Sequence, residues 1–385
     1  MTALGTTTVR PPLALSAASF VSTFDRFAVT PMLVLIAVGL GAPLSAVVAV
    51  ASGYFLAYGL SQALWGVLSD RYGRVRIMRL TLLGAAAAGL ASAIAPGLNA
   101  LIAARIVAGA CFGGVIPTSL TYLGDTVAQQ QRQQALSQLM GLMAIGTALA
   151  TALGGTLADL VHWRAVFALP ALLAVLCSIG LRGLPEPERA EVADLRTHVV
   201  AVLRNRWALL VFGLAFVEGG VLLGTMTFLA SALQHHGVDA SVAGLATAGY
   251  GVGVWLFSAL LRVVSRRNPV WLLIAIGGTQ MCAGYAVVAV NVSIAAVVVA
   301  ALLLGGGWSF MHSSLQTWAT SVAPAARGTA VALFASALFG GSAASAALGG
   351  LLVEGGHYAL LFGATSAVAA VLTTGAALAR HRYQA

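Results

Sequence analysis

Lysine is absent from this sequence. All twenty basic side chains are arginine, eleven side chains are acidic, and charged residues together fill only 8% of 385 positions, while 59% are hydrophobic. So little charge cannot clothe a soluble domain of this length, and the chain is assigned to a lipid bilayer. There are three cysteines, Cys111, Cys177 and Cys282, and all lie within apolar runs, which argues against a disulfide framework. Also missing are a nucleophile paired with a base, a phosphate-binding glycine loop and a cluster of metal ligands; His235 and His236 adjoin but lack two further ligands. Neither enzyme activity nor a metal nor a cofactor is expected. In a soluble protein the net charge of +9 would raise the question of nucleic acid, but here the arginines' placement gives another reading and no nucleic-acid partner is expected.

Apolar runs recur at about residues 14–38, 45–68, 77–95, 99–122, 136–159 and 164–183, and again at 208–233, 242–264, 271–290, 294–320, 328–352 and 357–378. Each is long enough to cross a hydrocarbon core of roughly 30 Å as a helix. If all twelve cross, seventeen arginines share one face, Arg164 alone falls on the other, and Arg26 and Arg105 lie inside spans. The positive-inside rule then puts both termini and the central loop in the cytoplasm of a cell, with the chain in its inner membrane. The first run carries Asp25 and Arg26 in its middle, which a cleaved signal peptide would not tolerate, so it is read as a permanent span.

One connection is clearly polar. It divides the chain into a six-helix bundle at 1–183, a linker at 184–206 containing Pro185-Glu186-Pro187-Glu188, and a second six-helix bundle at 207–385. From Glu191 to Leu203 apolar residues recur at helical spacing, which fits either a helix on the cytoplasmic surface or a flexible linker. An offset of 196 residues places Ser45, Gly53, Tyr54, Ser69 and Arg71 over Ser241, Gly249, Tyr250, Ser265 and Arg267. An offset of 195 places Gly154, Gly155, Asp159, His162 and Phe167 over Gly349, Gly350, Glu354, His357 and Phe362. Two agreeing registers argue for duplication, and repeated halves suit a transporter, whose central site opens to either side as the halves rock. The 44 glycines cluster in several spans; most serve close helix packing, and those of the fifth and eleventh spans are candidates for sliding or bending.

A charge at the bilayer centre costs roughly 3 kcal/mol, so a charged residue within a span is first read as functional. Asp25, Arg26, Arg105 and Glu218 meet that description. Asp25 and Glu218 occupy equivalent helices, the first and the seventh, and both are expected to face a shared central cavity. Carboxyl groups in oil gain from taking up a proton and gain from a cation nearby when they lose it, so these two are proton-carrier candidates with Arg105 and Arg26 as modulators. A competing reading locks Asp25 and Arg26 in static ion pairs. Tyr54, Tyr58 and Gln62 recur at single-turn spacing in the second run, as do Trp308, His312 and Gln316 in the tenth. Both stripes suit the wall of a cavity for an amphipathic small molecule, against the alternatives of lipid-facing tyrosines and a hydrogen-bonded structural histidine.

Between the second and third runs stands Gly66-Val67-Leu68-Ser69-Asp70-Arg71-Tyr72-Gly73-Arg74-Val75-Arg76. It resembles the signature loop of the major facilitator superfamily, G-x-L-x-D-R-x-G-R-[RK], matching at Gly66, Leu68, Asp70, Arg71, Gly73 and Arg74. The resemblance implies an all-α membrane protein with twelve transmembrane helices in two pseudo-symmetric six-helix bundles. It further implies that Arg74 bridges Asp125 and that Asp70 faces the start of the eleventh helix near Gly328, a latch made by Asp70, Arg71, Gly73, Arg74 and Asp125. The segment around Arg105 resembles the fourth-helix arginine motif of proton-linked members. Phe24-Asp25-Arg26-Phe27 through Pro31 to Ala37 is similar to the opening of twelve-span drug and sugar efflux carriers, and Trp163-Arg164-x-x-Phe167 to their turn before the sixth helix. One departure is that the fifth-helix Gly-Pro of such exporters is replaced by Ala150-Thr151, which removes a proline kink.

The resulting expectation is a monomeric, proton-coupled exporter of a small amphipathic compound, energised by a proton gradient and working by alternating access. An uptake carrier or uniporter for a polar nutrient such as a sugar, and a non-transporting sensor on the same scaffold, stand as alternatives.

Overall fold

The computed structural model describes residues 10–187 and 195–383. Among them the chain is helical almost throughout, without a β-strand, and eleven stretches are long and apolar enough to cross a membrane. The first four are α1 (Leu13–Leu40), α2 (Leu44–Tyr72), α3 (Arg74–Ala93) and α4 (Leu98–Thr126). The next, Gln129–Gly183, has 55 residues. Straight, it would reach about 80 Å, far more than one crossing needs. It breaks at His162, whose backbone is extended (φ −179°, ψ 143°), into α5 (Gln129–Leu157) and α6 (Trp163–Gly180). Gly146 and Gly154 of α5 lie against Phe20 and Ala28, so α5 runs parallel to α1. Arg79 Nε donates to the Ser178 carbonyl at 3.2 Å while Gly89 meets Ala171, so α6 runs antiparallel to α3. The stretch therefore crosses twice. The remaining spans are α7 (Arg206–His235), α8 (Ala240–Val264), α9 (Val270–Val290), α10 (Ile294–Val322), α11 (Arg327–Glu354) and α12 (Tyr358–Arg382).

Packing repeats with the same period as the sequence. In the first half α1 packs on α5, α2 on α4, and α3 on both α4 and α6; in the second α7 packs on α11, α8 on α10, and α9 on both α10 and α12. Each pairing recurs six helices later. Between the halves, α2 lies along α11 and α5 along α8. Gly155 and Gly244 make the second of these seams possible, because a Cβ on Gly155 would run into the Ala240 carbonyl and one on Gly244 into the Thr151 carbonyl. The helix α5 runs unbroken through Ala150-Thr151, as the missing proline predicts.

One face is closed by the same contact made twice. Glu354, ending α11, accepts a hydrogen bond from the Ser45 backbone N–H at 2.9 Å, and Asp159, just past α5, accepts one from the Ser241 backbone N–H at 3.3 Å. Ser45 and Ser241 stand in the first turns of their helices, where unpaired N–H groups and the helix dipole favour a carboxylate. These four residues are the ones the duplication superimposes. The contacts lie on the face opposite the arginine-rich loops, and Gln234 Nε2 adds a bond from α7 to the Pro31 carbonyl of α1 at 2.8 Å.

At the arginine-rich face, Leu195–Leu203 forms a short helix, while the rest of the expected surface helix, within 188–194, lies outside the described residues. The start of the linker is held by Tyr122, whose hydroxyl donates to the Pro185 carbonyl at 3.2 Å.

Candidate functional site

The helix α1 is apolar apart from a few hydroxyls and two adjacent charges, and it is interrupted by a tight turn at Thr30–Met32 where Pro31 removes a backbone donor. One turn before that break sit Asp25 and Arg26, which point about 100° apart because they are consecutive on a helix. Asp25 turns to α4. Arg105 Nη1 and Nη2 each donate to one oxygen of its carboxylate at 2.9 Å, and Nη2 also reaches the Asp25 carbonyl at 3.3 Å. Both side chains are essentially inaccessible, at 1% and 0%. The Arg105 guanidinium lies 4.5 Å from the Tyr54 ring and 4.9 Å from that of Phe167, so aromatic faces wall in the pair. Tyr54 in turn stacks on Tyr58 at 5.9 Å.

The second half repeats the plan with different chemistry. Glu218 lies on α7 just before a wide π-turn, Gly220–Gly224, and His312 ends another, Trp308–His312, in α10. Such turns break the helical ladder locally and frequently accompany functional sites. His312 Nδ1 is 3.2 Å from Glu218 Oε2, the carboxylate is fully buried, and the imidazole stacks on Trp308 with ring centres 3.8 Å apart. Glu218 Oε1 has no partner among the described residues. In each half, then, a carboxylate on the first helix faces a cation, permanent or potential, on the fourth.

This corrects two expectations. Asp25 and Glu218 do not converge on one void: each turns into its own half, because a carboxylate in a low-dielectric interior is stabilised by the nearest cation and loses several kcal/mol without one. His312, expected in a cavity wall with Gln316, sits on Glu218 and belongs to the charged centre. Of the other cavity candidates, Tyr54 and Tyr58 are buried at the centre, Trp308 covers His312, Gln62 is half-buried, and Gln316 is exposed. Repetition of the first half's plan was the signal that could have found the histidine. A carboxylate on α7 calls for a cation on α10, and His312 is the titratable residue there.

Arg26 takes a different path. It is 8% exposed, its guanidinium lies 4.9 Å from the Phe27 ring, 5.1 Å from Tyr58 and 5.6 Å from Phe339 of α11, and no carboxylate among the described residues is within ion-pair distance.

The signature loop closes against the linker. Gly73 has φ +107°, a conformation few residues but glycine adopt, and a Cβ there would also strike the Glu186 carboxylate. Glu186 accepts from the backbone N–H of Val75 at 3.1 Å and of Arg76 at 3.2 Å, capping the start of α3. No local pattern announced that role for Glu186. Arg74 donates to Asp125 at 3.2 Å and to the Ser69 hydroxyl at 3.0 Å, and it also pairs with Asp70 one turn before it. The resemblance implied that Asp70 faces the start of α11; instead it turns back to Arg74, and the space around the Gly328 backbone is open. Arg71 is exposed, over the ring of Tyr72.

Comparison with known proteins agrees with this geometry. Residues 15–346 match the sequence profile described as Major Facilitator Superfamily. The chain belongs to that family, which is one of transporters rather than enzymes. It is 31% identical over 149 residues to a triacylglyceride transporter of Mycolicibacterium hassiacum, an alignment covering 37% of this chain and 28% of that protein. It is 22% identical over 307 residues to the MFS-type transporter YybF of Bacillus subtilis, covering 78% of this chain and 76% of that one. Thus the chain spans little more than a quarter of the length of the first of these relatives. Among solved structures, the nucleoside transporter NupG superposes with a TM-score of 0.82 at 15% identity, over 96% of this chain and all of that one (100%), which shows a shared fold.

Proposed function

We propose that this chain is a secondary transporter that exports a small amphipathic organic compound in exchange for protons, with its arginine-rich face in the cytoplasm and residues 1–183 and 207–385 rocking as two bodies about the 184–206 linker. The observation that supports it most is the Glu218–His312 pair. Both side chains are of ionisable types, neither is exposed, and they lie on the two helices of the second half that correspond to those carrying Asp25 and Arg105. A proton entering this pair neutralises the carboxylate or charges the imidazole, and either event changes the attraction between α7 and α10. The Asp25–Arg105 pair holds α1 to α4 in the state described, and its separation in the other state frees Asp25 to accept a proton. Export against uptake is favoured by the resemblance of α1 to efflux carriers.

The test uses inverted membrane vesicles with a preset proton gradient. Added substrate is expected to collapse the gradient with the wild type and not with Glu218→Gln or Asp25→Asn. Flux that ignores the gradient would point to uniport or nutrient uptake, and ligand binding without flux to a sensor. Candidate substrates come from a thermal-shift screen of the purified protein, since a ligand that binds the folded state raises its stability by mass action.

A further inference from the structure

Among the described residues three arginines are buried: Arg74 and Arg26 at 8% exposure and Arg105 at 0%. Arg105 holds Asp25 in a two-pronged bond, and Arg74 holds Asp125 and Asp70. Arg26 holds no acid among the described residues, and its Nε is fully buried without a hydrogen-bond partner. Aromatic rings attract a cation, but they offer no lone pairs to the five N–H donors of a guanidinium. Such a group is left wanting an oxyanion.

Its surroundings say which molecule would bring one. Tyr58 and Phe339, the two rings flanking Arg26 from outside its own helix, come from α2 and α11, one from each half, and stand 4.7 Å apart. A third ring from the second half, Tyr250 of α8, lies 5.9 Å from Phe27, the residue next to Arg26. Arg26 thus occupies the seam along which the halves meet, where Ser336 of α11 also donates to the Gly59 carbonyl of α2 at 2.9 Å. We propose that Arg26 is the anchor for an organic oxyanion, a carboxylate or sulfonate on a flat apolar body, whose body stacks between Tyr58 and Phe339 as the halves separate. The guanidinium fork can engage two oxygens at once, the coplanar pair of a carboxylate or two of the three on a tetrahedral sulfonate. This inference rests on the transport reading and narrows its substrate from amphipathic compounds in general to amphipathic anions.

The test is equilibrium binding to the purified full chain in nanodiscs, read by thermal shift and tryptophan fluorescence, with naphthoate, naphthalenesulfonate, naphthamide and naphthylmethylammonium as probes. Both anions should bind at least tenfold more tightly than the amide, and the ammonium not at all. Arg26→Gln should lose that preference at least tenfold, Arg26→Lys should keep part of it, and the ligand-free Arg26→Gln protein should melt no lower than the wild type because an unpaired buried cation has been removed. Equal binding of all four probes, no binding of the anions, unchanged anion affinity in Arg26→Gln, or a marked loss of stability in that variant without ligand would each overturn the assignment. Binding needs no proton movement, so failure here with gradient-driven flux intact rejects the anion site alone, and anion binding without flux rejects only the transport reading.

Discussion

The two halves of the molecule answer the same problem, a carboxylate buried in the first helix, with different cations. In the first half the partner is arginine, which keeps its charge at any accessible pH and grips both oxygens of Asp25 at 2.9 Å. In the second it is histidine, at a single contact of 3.2 Å, with the other oxygen of Glu218 unpartnered among the described residues. The first pair can change only by mechanical separation. The second can change by a proton. On the proposed reading a pseudo-symmetric scaffold thus combines a pair that reports conformation with one that reports protonation; the two cations share equivalent helices but not equivalent positions, since the duplication sets Arg105 over Ala300 or Ala301 rather than His312.

Removing the permanent cation should have the largest effect. Arg105→Gln leaves Asp25 buried and unpaired and should cost about 3–5 kcal/mol, seen as a strongly lowered melting temperature, with much of the loss recovered in the Asp25→Asn/Arg105→Gln double variant. A single variant of wild-type stability would break the contrast between the halves. Next comes the loop that only the first half retains. The duplication sets Pro269 and Arg266 where the first half has Gly73 and Asp70, so Gly73→Ala, strained by its φ of +107° and crowding Glu186, should cost about 1–3 kcal/mol. Alanine in place of neighbouring Tyr72 serves as the control, and equal melting of the two variants would deny the glycine its role.

Glu218→Gln should be gentler on stability, about 0.5–1.5 kcal/mol, because a neutral amide still hydrogen-bonds His312, yet it should abolish proton-driven flux. If it destabilised the protein as much as Arg105→Gln does, the histidine would be permanently charged and the halves would be alike. The smallest effects belong to the closed face. Asp159→Asn and Glu354→Gln should each weaken closure by about 0.3–1 kcal/mol, equally and additively, as read by spin-label distances across that face. Unequal shifts would show that the repeated contact differs in energy between its two occurrences.

The run lengths, the duplication and the signature loop were sufficient to read the span count and the two-bundle architecture. The break near residue 160 was legible too, as a boundary between apolar runs, although the helix continues close to it and separates only at His162. The buried charges were recognisable because charge inside an apolar run is conspicuous. Their partners were less so. Arg105 could be named as the modulator of a carboxylate, but Glu218 and His312 are 94 residues apart, and nothing nearby in the chain distinguishes a histidine that holds a carboxylate from one that lines a cavity. Glu186 was hidden for the same reason, at 111 residues from the helix it caps.

Composition and periodicity by themselves settled that this chain spans a membrane, that it does so as two copies of one helical plan, and which few side chains carry charge into the apolar layer, because each of these is a property of local runs and their spacing. Tertiary structure alone decided which charge meets which, that Asp70 turns to Arg74 while the opposite face is latched by Asp159 and Glu354, and that Arg26 is left among rings from both halves. Electrostatic pairing in a low-dielectric interior acts over a few ångströms, and that proximity comes from packing between helices far apart in the chain.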